Sequence, residues 1–275
     1  MNGLRGLLSF MYIFLRLLLC IIPNRLYEML RKLLRQGNEY HTREQYISIA
    51  RSYLKELGTK CFVGSCVMEI GSGNQIETAS CLLENGAKQV IVVDPIINPR
   101  LSQSGSLVVV EASCFNEEIA HRYARSIDVL VSFQVLEHVR DVPLFMRCVA
   151  EVLTPNGIFF ARVDVSDHIY HGIKPLMSVL NVPTEVIRCK YLEYSDSFYR
   201  RIHPHKRVYM NRCVLPEILQ AMDDAGLKWQ LQGRYLTHNN VIYPDIVKRV
   251  SAKYSQYTQA YWFTLRGSRD EAPPA

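Results

Sequence analysis

Between Cys66 and Val163 the chain alternates short runs that are apolar on both faces with stretches of helical periodicity. This alternation constrains the fold more than any other feature. The apolar runs are CVMEI, QVIVVD, LVVVEA, DVLVSFQ and GIFFARV, and between them lie IETASCLLENG, NEEIAHRYA and VPLFMRCVAEVL. A strand without a polar face must be covered on both sides, and helical crossovers bring successive strands into parallel register. The expected class is α/β: a mostly parallel central sheet with helices on both faces. A further helix is expected upstream in TREQYISIARSYLKEL, where Tyr46, Ile49, Ala50, Tyr53, Leu54 and Leu57 share one face before Gly58. Residues 164–212 interrupt the rhythm as a polar, Tyr-rich, basic insert. The rhythm resumes with helix LPEILQAMDDAG and strands LKWQLQGRYL and AYWFTLRG. The domain is therefore set at 38–267 with an insert at 164–212, and 268–275 is expected to be a disordered tail.

The amino-terminal residues 1–37 read differently. The apolar stretch at residues 7–22 is shorter than the roughly 20 residues that cross a bilayer, and it contains Arg16. On a helix, Arg5, Ser9, Tyr12 and Arg16 form one narrow polar stripe amid Leu, Ile, Phe and Met, so the segment can lie in a membrane interface with that stripe facing water. A short signal-anchor and a helix packed on the protein's own core are the competing readings. Pro23 ends the apolar stretch, and a second, basic helix is expected beyond it. Residues 1–36 hold Arg5, Arg16, Arg25, Arg31, Lys32 and Arg35 against Glu28 alone, a net +5, while the whole chain carries +6. Localised charge of this kind fits an anionic membrane surface better than a nucleic-acid coat, which disfavours nucleic acid as a partner. The expected location is cytoplasmic, peripheral or monotopic on the inner face of the membrane. The eight cysteines include no C-x-x-C pair, which points to free thiols and to neither a disulfide framework nor a structural zinc site. His203-Pro204-His205 has no third ligand at matching spacing, so no metal is expected.

The chemistry concentrates after the first core strand. Glu69-Ile70-Gly71-Ser72-Gly73-Asn74 turns from strand to helix, and Asp94 closes the next strand. Glycines at such a bend let backbone approach a ligand, and a carboxylate at the next strand end suits a ribose diol, so a nucleoside cofactor is indicated. A dinucleotide is disfavoured because Ile76 stands where the third glycine of G-x-G-x-x-G would be.

The blocks VMEIGSGN, VIVVDP, DVLVSFQVLEHV and LTPNGIFFARV, in this order, resemble the consecutive motifs of class I S-adenosylmethionine-dependent methyltransferases of the type 11/12 kind. The resemblance covers roughly residues 60–165. It implies a Rossmann-like fold and S-adenosyl-L-methionine as cofactor. Glu69, Gly71, Ser72 and Gly73 would then line the methionine part and Asp94 would bind the ribose hydroxyls. Glu111 and Ala112 would lie at the adenine, and Gln134 would border the methionine moiety and the acceptor. Two departures from the family pattern stand out: Gln75 occupies a position often held by a third glycine, and Glu111 replaces the commoner Asp.

Methyl transfer to a hydroxyl gains from a base near neutral pH. His168, in the D-x-x-D-H segment after the fifth strand, is one candidate, as base or as acceptor ligand. His138, in Leu136-Glu137-His138-Val139, is the other, with loop hydrogen bonding as its competing role. Across Arg188–Arg212, basic residues interleave with Tyr191, Tyr194, Phe198, Tyr199 and Tyr209. The readings of this insert are a solvated lid, a seat for an anionic glycolipid or polyprenyl phosphate, and an RNA surface, in that order. The expected function is O-methylation of a small-molecule, glycan or lipid-linked acceptor at a membrane surface. The alternative is a catalytically inactive, cofactor-binding membrane-associated protein.

Overall fold

A computed structural model describes residues 10–14, 17, 21, 42–98, 100, 105–112, 114–166, 190–202, 210–236, 248–249, 253 and 260–269. The chain divides into two compact units. One comprises 41–164, 218–234 and 263–275, and the other 1–40, 165–217 and 235–262.

The first unit is built on a seven-stranded sheet. Its elements in order are α1 (Arg43–Leu57), β1 (Cys66–Ile70), α2 (Glu77–Glu84), β2 (Gln89–Asp94), β3 (Leu107–Glu111), α3 (Glu117–Arg122), β4 (Ile127–Phe133), α4 (Val142–Val152) and β5 (Leu153–Asp164). Helix α6 (Leu215–Asp224) and strands β6 (Leu227–Leu236) and β7 (Ala260–Arg269) follow. The strand order is β3-β2-β1-β4-β5-β7-β6, and β1 pairs parallel with β2 and β4, as do β2 with β3 and β4 with β5. The expected α/β class is what the chain adopts.

Local chemistry explains where elements begin. Thr42 opens α1 with a capping box: its backbone N–H donates to Gln45 Oε1 at 3.0 Å, and its hydroxyl accepts from the Gln45 N–H at 3.4 Å. Asp141 caps α4 by accepting from the Leu144 N–H at 2.8 Å, with Pro143 in the first turn. The Asp128 carboxylate accepts from the Cys66 N–H at 2.9 Å and the Thr154 hydroxyl at 3.2 Å, aligning the starts of β1, β4 and β5.

Strand β5 starts at Leu153, four residues before the expected Gly157. The register runs Ile127↔Leu153 and then Val129↔Ile158, so Thr154-Pro155-Asn156-Gly157 is absorbed as a bulge. A Cβ on Gly157 would stand 2.9 Å from the Ile127 carbonyl oxygen, which is why this position needs glycine.

Residues of alternating parity fill the two faces of the sheet. On one, Tyr53, Leu57, Ala79 and Leu82 of α1 and α2 pack on Val67, Val90, Val92, Val129, Val131 and Phe160. Tyr53 meets Phe160 edge-on at 5.8 Å. On the other, Phe145 of α4 contacts Phe159 at 6.4 Å and Phe115 at 5.5 Å.

The second unit has an aromatic core of its own. Tyr12, Tyr191, Leu192, Tyr199, Ile202, Met210 and Val214 cluster there, with Tyr199 and Ile202 on the short helix α5 (Asp196–Ile202). Arg212 holds the cluster together. Its guanidinium pairs with Asp196, donates to the Tyr191 and Tyr194 carbonyls at 3.0 and 2.6 Å, and lies 4.8 Å over the Tyr199 ring. One expectation is corrected here: Tyr12, assigned to a water-facing stripe, is 2% exposed and stacks on Tyr194 at 5.8 Å. A tyrosine ring carries enough apolar surface to favour a packed core over water.

A candidate cofactor site at the strand ends

Parallel register brings the carboxyl ends of four strands level. Ile70 aligns with Val93 and with Ser132, and Asp94 aligns with Glu111. Gly71, Asp94, Glu111 and Gln134 therefore emerge at one edge of the sheet, where open α/β sheets bind ligands.

The bend after β1 is fixed by its own backbone and by Asp94. Gly71 and Gly73 take φ of +83° and +69°, the left-handed region that favours glycine. The Gly71 N–H donates to the Val93 carbonyl at 2.9 Å. Asp94 Oδ2 accepts from the Gly73 N–H at 2.7 Å, and Oδ1 accepts from the Ile96 N–H at 2.9 Å. This carboxylate locks the glycine bend onto β2 and keeps one further acceptor position on each oxygen. Burial pushes its pKa up against the pull of those two N–H groups. Ser72 is buried within the bend.

Glu69 is 4% exposed, and its Oε2 has no hydrogen-bond partner among the described residues. Burial, reinforced by the charge of Asp94, pushes its pKa up to about 8, and a hydrogen bond with Thr78 opposes the rise. Tyr46 of α1 reaches the same bend: its hydroxyl stands 2.9 Å from where a Cβ on Gly73 would be. Burial raises the pKa of that phenol, with Glu69, Asp94 and Glu77 adding to the effect.

Farther along the edge, Glu111 is exposed and Ala112 is half-buried, its N–H donating to the Asp94 carbonyl at 3.3 Å. Gln134 adopts φ of +55° at the end of β4, with its N–H donating to the Arg162 carbonyl at 2.8 Å. A non-glycine residue held in this region carries backbone strain of the kind found at functional sites. His138 ends the 3-10 turn Leu136–His138, half-buried, and its N–H donates to the Val135 carbonyl at 2.8 Å. His168 lies outside the described residues, as do His203 and His205.

Four residues at this edge were not singled out in the sequence. Tyr46 counted only as part of an apolar helix face. Val135 fills the space beside Gly71, with two atoms 3.4 and 3.5 Å from the position of a built Cβ. Ile96, two residues after Asp94, is 67% exposed, an apolar surface beside that carboxylate. Glu137, 2% exposed, accepts a hydrogen bond from the Asp164 backbone and so joins the turn after β4 to the end of β5; burial dominates its strongly raised pKa. At the opposite, amino-terminal edge of the sheet lies a separate groove of about 590 Å³, bordered by Arg125, Glu151, Gly226 and Arg269.

Fold and bend together define a Rossmann-like class I methyltransferase. The chain belongs to the methyltransferase domain family, which matches residues 41–248, and is an S-adenosylmethionine-dependent enzyme. A 67-residue stretch is 33% identical to the mitochondrial ubiquinone biosynthesis O-methyltransferase of Homo sapiens, covering 24% of this chain and 16% of that protein. Among solved structures, an S-adenosylmethionine-dependent methyltransferase from Mesorhizobium loti is similar at 14% identity, covering 81% of this chain and 96% of its own, with a TM-score of 0.49. Geranyl diphosphate methyltransferase in complex with SAM is similar at 10% identity, with coverage of 86% and 93% and a TM-score of 0.49. The residues at the bend suit such a cofactor chemically. The buried Glu69 carboxyl, unpartnered at Oε2 and holding its proton at neutral pH, can exchange hydrogen bonds with a polar ligand group, and the Asp94 carboxylate supplies negative charge that complements sulfonium and ammonium groups.

Proposed function

We propose that the strand-end edge seats S-adenosylmethionine and that the enzyme methylates a hydroxyl oxygen of a small-molecule, glycan or lipid-linked acceptor at a membrane surface. The observation that carries the cofactor assignment is the Asp94 carboxylate. It is fixed at the edge by two backbone N–H groups and still has acceptor capacity for a ribose diol. Gly71, Ser72, Gly73 and Glu69 serve the methionine portion. Glu111 offers an exposed carboxylate to the exocyclic amine of adenine, with Ala112 beside it. Gln134, held in its strained turn, marks the boundary between the methionine portion and the acceptor. Support for an oxygen acceptor comes from the local likeness to an O-methyltransferase. The basic, apolar amino-terminal segment supports a membrane surface as the place where the acceptor is met.

When bound, the cofactor supplies an electrophilic methyl group on a sulfonium with a good leaving group. The protein's share is alignment, exclusion of water and proton removal. His168 is assigned as the base, or as a ligand that orients the acceptor hydroxyl, and His138 as the second candidate. Transfer of a labelled methyl group into lipid and aqueous extracts tests the reading. An alkali-stable ether-type product is expected, with His168→Ala slowing the reaction roughly 10²–10⁴-fold. A product methylated on nitrogen would refute the oxygen assignment, and full activity in both His168→Ala and His138→Ala would refute the base. Cofactor binding with no transfer to any pool would favour the inactive alternative.

A further inference from the structure

Six large hydrophobic side chains are exposed among the described residues, and four of them belong to one helical stripe near the amino terminus. Phe10, Phe14, Leu17 and Ile21 are 67%, 55%, 42% and 78% exposed. Their spacing of i, i+4, i+7 and i+11 places them on a single face, and the Phe10 and Phe14 rings stack at 6.3 Å. Tyr12, between them in sequence, points elsewhere: it is 2% exposed within the cluster of Tyr191, Tyr199 and Met210, with Ile13 packed alongside. Among the described residues, Tyr12 and Ile13 are therefore built into the insert's core, and Phe10, Phe14, Leu17 and Ile21 form an exposed apolar ridge.

We propose that the Phe10–Phe14–Leu17–Ile21 ridge inserts into an anionic lipid interface, with the helix's Tyr12 side fixed to the insert, so that anchor and insert meet the membrane as one folded unit. This deepens the membrane-surface reading and rests on it. Three observations favour lipid as the occupant. The surrounding segment, residues 1–36, carries net +5, which complements an anionic leaflet but would set two copies of the chain against each other in like charge. The apolar stretch at residues 7–22 is shorter than the roughly 20 residues that cross a bilayer, so an in-plane position suits the ridge. The aromatic pair at its head supplies the large apolar area that interfacial helices bury.

The lipid-facing side is the one the sequence suggests, and the difference is that the opposite side, at Tyr12, packs into the insert's core instead of facing water. Removing the whole segment would take Tyr12 from the insert's core, so deletion is a poor test. Point changes on the ridge leave that core intact. The experiment uses the full chain, mixed with vesicles of phosphatidylcholine alone or enriched in phosphatidylserine. Sedimentation measures partition, thermal melting checks the fold, and calorimetry with S-adenosylhomocysteine checks the cofactor site. The unmodified chain is expected to favour phosphatidylserine vesicles by about tenfold or more. Phe10→Gln/Phe14→Gln is expected to lower that partition roughly 100-fold, the scale set by withdrawing two aromatic side chains from the interface. Melting and S-adenosylhomocysteine affinity should stay unchanged. Undiminished partition in Phe10→Gln/Phe14→Gln and in Leu17→Gln/Ile21→Gln overturns the proposal. So does self-association that these substitutions abolish in the absence of vesicle binding, which would assign the ridge to a second copy. Failure of the unmodified chain to bind S-adenosylhomocysteine would strike the methyltransferase reading alone, because vesicle partition is measured without it.

Discussion

Gly71→Ala separates two reasons for glycine at the bend: space reserved for a ligand, or close packing within the protein. The structure favours packing. A Cβ at Gly71 would lie closer than 3.0 Å to one methyl of Val135, and the backbone there has φ of +83°. The left-handed conformation costs a non-glycine residue roughly 1–2 kcal/mol, and the overlap adds roughly 1–3 kcal/mol as overpacking. Gly71→Ala is therefore expected to lose about 2–5 kcal/mol. Val135→Ala removes the offending methyl, and the remaining contact to the Val135 Cβ, at 3.4 Å, is ordinary. Val135 is half-buried, so its truncation alone should cost about 1 kcal/mol. Urea denaturation of the two single variants and the double variant forms a cycle. The double variant should be about 1–3 kcal/mol more stable than the sum of the singles, recovering the overlap cost and leaving the backbone strain. Strict additivity would refute the packing account. Loss of cofactor binding without loss of stability would show that the Cβ meets the cofactor instead.

Two further outcomes are specific. Glu69, with its carboxyl near 8 when folded, keeps a proton that the unfolded chain releases near pH 4.5, so it makes stability fall as pH rises between those values. Glu69→Gln should flatten that decline by an amount on the order of a few kcal/mol, and equal slopes for the two proteins in denaturation from pH 5 to 8 would mean that the carboxyl is already ionised in the fold. Arg212→Met takes the donor from the Tyr191 and Tyr194 carbonyls in the second unit, while Asp196 keeps its pairing with Arg249 at 2.8 Å. The expected loss is roughly 2–4 kcal/mol of local stability, read as faster hydrogen exchange over 191–214 with exchange in β1, β2 and β4 unchanged; unaltered exchange over 191–214 would remove Arg212 from its role there.

The sheet was legible because its information is local and periodic. CVMEI, QVIVVD and LVVVE are strands over nearly the expected residues, since a run with no polar face has few other ways to be buried. The bend was legible through Gly71, Gly73 and Asp94, whose special backbone or charge shows in the residue type itself. What stayed hidden depends on contacts between distant residues. Nothing in the helix containing Tyr46 says that its hydroxyl reaches Gly73, and nothing in Val135 says that it packs against Gly71. Tyr12 misled for another reason. Grouped with Arg5, Ser9 and Arg16 it looked like part of a wet stripe, and only Tyr191, Tyr194 and Tyr199, far along the chain, provide the apolar surface that buries it.

The central claim is that the level strand ends, with Asp94 as clamp, form the cofactor seat. Calorimetric titration of the full chain and of Asp94→Ala with S-adenosylhomocysteine tests it most directly. The unmodified chain should show saturable binding, and Asp94→Ala should bind roughly 10–100-fold more weakly, the scale of losing hydrogen bonds to a charged acceptor. Equal affinity in the two proteins, or no binding by the unmodified chain, would contradict the account.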